Sequence, residues 1–151
     1  GAAMKMGAIV ANASVEDQDK IYDFGKNLGI AFQLQDDYLD AFGNPETFGK
    51  QVGGDIIENK KTYLFLKALE LSETEQRDQL LKFYTNDASN IEDKVSNVKQ
   101  IFNESGASSE TNIIIENYTE KAFNILDSIN VSSEKKELLK QFGTSLMNRK
   151  V

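Results

Sequence analysis

The sequence predicts an all-helical bundle. Three observations carry this. Helix breakers are rare, with one proline and ten glycines in 151 residues. Leu, Ile, Lys, Glu and Gln are plentiful, a composition that favours helix over sheet. Apolar residues recur three and four apart between capping signals, which is helical spacing. A hydrophobic fraction of 40% supplies the core of one domain over 1–151.

Residues 2–12 read as a short, mostly apolar helix. Ser14-Val-Glu-Asp17 offers a capping hydroxyl and first-turn acids to a helix over about 16–42. In that helix Ile21, Phe24, Leu28, Phe32, Leu39 and Phe42 follow one face. Gly25 and Gly29 lie four apart, so a neighbouring helix or a ligand could approach the backbone there. Gly43-Asn44-Pro45 stops the helix. A Gly-rich loop over 43–57 and a helix over about 60–71 follow. Ser72-Glu-Thr-Glu75 has the serine and acid of a capping box, opening a helix over about 74–85. Another runs over about 90–105 to Gly106. Ser108-Ser109-Glu110 starts a helix to about 129, and Ser132-Ser133-Glu134 starts the last, through Leu138, Leu139, Phe142, Leu146 and Met147. The expectation is six or seven helices, the longest carrying Asp36–Asp40. The strand-like run Asn112-Ile-Ile-Ile-Glu116 has helical flanks.

Composition also excludes chemistry. The chain has no cysteine and no histidine. Disulfides, thiolate nucleophiles, histidine-ligated zinc and imidazole triads are therefore absent. A net charge of −7 argues against a nucleic-acid partner. No apolar run reaches membrane-spanning length, and the expected compartment is the cytoplasm. The chain opens on Gly1 with a lysine inside its first apolar run, so it is read as an internal start in a longer protein rather than as a signal peptide.

The candidate site lies within about 25–62. Asp36 and Asp40 stack one helical turn apart, Asp37 and Asp40 nearly so, and Gln33 extends the stripe one turn earlier. Carboxylates this close repel unless a cation lies between them, and oxygen-only ligands suit a hard cation such as Mg²⁺. A second cluster follows: Phe48-Gly49-Lys50, then Gly53-Gly54-Asp55, then Asn59-Lys60-Lys61. Glycines let backbone approach a ligand, and lysines supply point charges to phosphate. Acids, then a Gly/Lys loop, then an Asp and a lysine pair are what a metal-bridged diphosphate needs. Each piece alone has a plainer reading, as a solvated helix face, a turn or surface lysines. Their order and proximity point to one site.

Phe32-Gln33-x-x-Asp36-Asp37-x-x-Asp40 followed by Gly49-Lys50-x-x-Gly53-x-Asp55 and Asn59-Lys60-Lys61 resembles the second aspartate-rich region of the trans-type polyprenyl (isoprenyl) diphosphate synthases. The resemblance covers about residues 1–70. It implies the all-helical isoprenoid synthase fold, and transfer of an allylic diphosphate's prenyl group to isopentenyl diphosphate with Mg²⁺. It implies that Asp36, Asp37 and Asp40 bind Mg²⁺ on the allylic diphosphate, that Lys50 and Lys60 contact that diphosphate beside Lys61, that Gln33 lines the pocket, and that Asp55 supports the metal and lysine network. The family's first aspartate-rich motif has no counterpart here, and the only arginines are Arg77 and Arg149. The expectation is therefore a C-terminal half, inactive alone, with apolar surface covered by a second copy in a homodimer or by the missing half. Asn148-Arg149-Lys150 resembles the family's basic tail. A non-catalytic helical scaffold and a terpene cyclase-like lyase are the competing functions. The Gly-Lys loop and paired lysines favour the synthase over the cyclase.

Overall fold

The computed structural model describes residues 1–44, 52–85 and 90–148. Eight helices occur among them, and no strand. They are α1 (Ala2–Val10), α2 (Val15–Phe42), α3 (Gly54–Ile57), α4 (Tyr63–Leu71), α5 (Thr74–Thr85), α6 (Ile91–Glu104), α7 (Ala107–Asp127) and α8 (Ser133–Met147). The expected longest helix is α2, at 28 residues. The additional helix is the single turn α3, inside the stretch read as loop.

Two compact units divide the chain. Among the described residues, the first comprises Gly1–Gln33 and 114–148; the second is Leu34–Ile113. In the first, Phe24, Leu28, Ala122, Leu126 and Ile129 are buried, with Met4, Ile21, Phe123 and Leu139 packed against them. Fully burying each large side chain stabilises by about 1.5–3 kcal/mol. Gly25 works as expected: a Cβ there would lie 2.8 Å from Met4 Sδ, so its absence lets α1 approach α2. Gly29 has open space instead, with nothing described within 4 Å of such a Cβ. The N-terminus of α2 is capped as expected, Asp17 N–H donating to Ser14 Oγ at 3.1 Å. Asp17 Oδ1 also accepts the Asn130 N–H at 3.0 Å.

In the second unit, α6 packs against α3, α4 and α5. Its buried stripe is Lys94, Val98, Ile101 and Phe102, spaced to share one helical face. Ile56, Leu64, Phe65, Ala68 and Leu80 complete that core. Asn90 caps α6 by accepting from the Glu92 N–H at 3.0 Å, and Gly106 follows it at φ +82°. One expected signal fails. Ser72 does not form the capping box of α5. It closes α4 instead, its N–H donating to Ala68 C=O at 2.9 Å, and its buried Oγ has no hydrogen-bond partner. The backbone N–H of Ser72 serves α4 while its hydroxyl is not used by α5.

Candidate functional site

The C-terminal end of α2 is held by the segment that follows it. Gly53 N–H donates to the Asp40 carbonyl at 2.6 Å. Asp55 N–H donates to Asp40 Oδ2 at 2.8 Å. The Asp40 carboxylate therefore satisfies an N–H in the first turn of α3, one of the groups a helix leaves without an internal partner. Gly53 makes this turn possible. Its φ is +86°, and a Cβ there would sit 2.7 Å from Val95 Cγ1. Gly54 comes almost as close to the site, a Cβ there lying 3.2 Å from Asp40 Oδ1.

Asp55 then turns to Lys60. Its Oδ1 accepts from Lys60 Nζ at 2.7 Å, and Glu58 adds a second carboxylate at 3.0 Å. The Lys60 N–H closes the turn onto the Asp55 carbonyl at 2.9 Å. Two expected site residues, Asp40 and Lys60, are thus joined through a third, Asp55. Lys60 remains half exposed and Lys61 is exposed beside it.

The electrostatics follow this geometry. Burial pushes the Asp40 carboxyl above the ordinary aspartate range. The Asp55 N–H opposes that shift, the charges of Asp55 and Asp36 add to it, and Lys60 opposes it. The hydrogen bond to Asp55 holds the Lys60 ammonium well above the usual lysine range, with Glu58 adding to it. Tyr84 is pushed up, first by burial and then by the charges of Asp55 and Asp40. It belongs to the surroundings of the site although the sequence did not single it out.

The remaining expected residues sort as follows. Asp36 and Asp37 are half-buried on α2 in the second unit, and Asp36 acts electrostatically on Asp40. Asp36, Asp37 and Asp40 are not gathered as a ready cage. Among the described residues no three acidic side chains are grouped to hold a metal ion. Gln33 is exposed and is the last residue of the first unit's N-terminal part. Lys50, Arg149 and Lys150 lie outside the described residues. Among the described residues, no helix is long and apolar enough to cross a membrane.

Comparison with known proteins places the chain by its sequence and its fold. Residues 1–104 match the family model described as Polyprenyl synthetase. The short chain isoprenyl diphosphate synthase of Methanothermobacter thermautotrophicus is 33% identical over 140 residues, covering 93% of this chain and 39% of that protein. A solved geranylgeranyl pyrophosphate synthase superposes with a TM-score of 0.86 at 45% identity, covering 97% of this chain and 46% of that one. The geranylgeranyl pyrophosphate synthase of Corynebacterium glutamicum, solved with isoprenyl diphosphate and magnesium, gives a TM-score of 0.83 at 29% identity, covering 95% of this chain and 40% of that one. The fold is the all-α isoprenoid synthase type, and the chain spans less than half the length of these proteins.

Proposed function

Since the chain belongs to the polyprenyl synthetase family, we propose that it supplies the diphosphate-handling part of a prenyltransferase that joins an allylic diphosphate to isopentenyl diphosphate. The observation that carries this is the chain of contacts from Asp40 through Asp55 to Lys60. It sets a carboxylate cluster and a cation side by side, the two elements a metal-bound diphosphate requires.

The donor set fits magnesium. It consists of carboxylate oxygens without nitrogen or sulfur, and Asp40 is half-buried with a second carboxylate, Asp55, beside it. Asp36, Asp37 and Asp40 would hold the ion. When bound it supplies positive charge against the departing diphosphate.

Lys60 contributes a second positive charge, aimed by Asp55 and Glu58. Loss of diphosphate leaves an allylic cation. The double bond of isopentenyl diphosphate attacks it, and a proton leaves the product. The carbon chemistry needs no protein nucleophile, consistent with a chain that has neither cysteine nor histidine. Lys50, Lys61 and Gln33 belong to the proposal as further substrate contacts. So do a cytoplasmic setting, which the lack of cysteine suits, and a homodimer. Met6, Ile9 and Val10 on α1 are exposed apolar side chains that a second copy would cover.

The 151-residue chain alone is expected to be inactive. The test is a chimera in which it replaces the matching part of the Methanothermobacter synthase. Supplied with radiolabelled isopentenyl diphosphate, an allylic starter and Mg²⁺, the chimera should make elongated product. Asp36→Ala or Lys60→Ala should lower turnover about a hundredfold or more. A folded chimera that elongates nothing, or variants that elongate normally, would reject the reading. Metal-dependent diphosphate release without elongation would point to a lyase.

A further inference from the structure

We propose that Lys94 is a positioning residue for the Asp55–Lys60 pair, acting through the turn between them. The inference rests on the reading of that pair as a diphosphate-handling group. Lys94 is only 5% exposed and occupies the apolar stripe of α6 with Val98, Ile101 and Phe102. Burying an ammonium is costly unless its donors are met.

Two of its acceptors lie at the end of α3 and just beyond it. Lys94 Nζ donates to Asn59 Oδ1 at 2.6 Å and to the Ile57 carbonyl at 3.3 Å. It also lies 5.7 Å from the centre of the Tyr84 ring, a cation–π distance, and that ring packs on Phe65 at 4.1 Å. The turn it grips is unusual. Asn59 has φ +56°, a left-handed conformation that few residue types adopt readily. Lys60 follows immediately, and its N–H returns to the Asp55 carbonyl. Lys94 is therefore a tie from the core helix α6 to the one turn that sets where the Lys60 ammonium stands relative to Asp55. An apolar residue at 94 would fill the stripe but leave the Ile57 carbonyl and the Asn59 amide without this donor. The core residues Val98, Ile101 and Phe102 would keep their packing.

The test uses the 151-residue chain as wild type, Lys94→Met and Asn59→Gly. Glycine at 59 accepts the left-handed backbone while deleting the amide that Lys94 holds. Amide hydrogen exchange is followed at Asp55 and Lys60, with Ile101 on α6 as the internal reference. In Lys94→Met, exchange at Asp55 and Lys60 should speed up about tenfold or more, while Ile101 changes far less. Asn59→Gly should act in the same direction. Unchanged exchange at Asp55 and Lys60 would overturn the proposal, and so would a loss of protection in step with Ile101. If Lys94→Met does not fold, Asn59→Gly decides by the same criteria. Magnesium diphosphate, titrated by phosphorus NMR, separates the two readings. Equal binding by wild type and Lys94→Met also overturns the proposal. Loosened exchange with no binding by any form leaves the tie standing and removes the diphosphate assignment instead.

Discussion

Asp40 holds the first turn of α3 by its side chain, Oδ2 accepting the Asp55 N–H at 2.8 Å across fifteen residues of sequence. The same contact brings a second carboxylate up against the first. Asp40 is consequently both a structural acceptor and an acid whose ionisation burial opposes.

Asp40→Asn should therefore be more stable than wild type at pH 7. The amide oxygen still accepts from Asp55, and the charge is gone. The sign follows from linkage. A folded-state value above 3.8 means that the folded chain holds this proton more tightly than the unfolded chain. The stability it contributes is full below 3.8 and is lost as pH rises through the folded value. Thermal unfolding across pH should show the Asn variant's advantage fading to nothing toward acid. A less stable Asn variant at pH 7 would contradict this.

Asp17 should behave in the opposite sense. Its carboxyl is held below 3.8, chiefly by the Asn130 N–H and then by Ser14. That stability is present above 3.8 and disappears as pH falls through the lowered folded value. Asp17→Ala should melt earlier than wild type at neutral pH, with the gap closing in acid. A gap that persists at pH 2 would remove the electrostatic explanation.

Gly53→Ala should cost about 1–3 kcal/mol, because a left-handed backbone and the Val95 side chain both oppose a Cβ. Gly54→Ala should cost less, since the one close neighbour among the described residues is the movable end of the Asp40 side chain. Urea unfolding of the two variants would give this order or refute it.

Ser72→Ala should raise stability by about 1 kcal/mol. It removes a buried hydroxyl that has no partner, and such a group costs free energy wherever it is buried. Lower stability in the alanine variant would mean that the hydroxyl is satisfied in solution.

The helices were legible because their signals are local. Ser14 with Asp17, and Gly106, act within a few residues, and the apolar spacing of α2 reads directly. The site residues Asp40, Asp55 and Lys60 were legible as chemical types in order. Their connection was not, because the Asp55 amide meets the Asp40 carboxylate only after Gly53 has turned the chain back. The Ser72 capping box was misread because the Ser-x-x-Glu pattern fixes residue types and spacing but not where the hydroxyl points. The role of Lys94 left one visible trace, a lysine where Val98, Ile101 and Phe102 call for an apolar residue. Nothing local ties it to its acceptors Asn59 and Ile57, 35 and 37 residues away.

The first unit takes its members from both ends of the chain, and the whole second unit lies between them. During synthesis Leu34–Ile113 can assemble from contacts already in hand. Phe24 and Leu28 must wait for Ala122, Leu126 and Ile129 to emerge. Closing that separation carries an entropic cost that local pairing avoids, so the two units should acquire protection in sequence. Pulse-labelled hydrogen exchange during refolding should find Val98 and Ile101 shielded before Phe24.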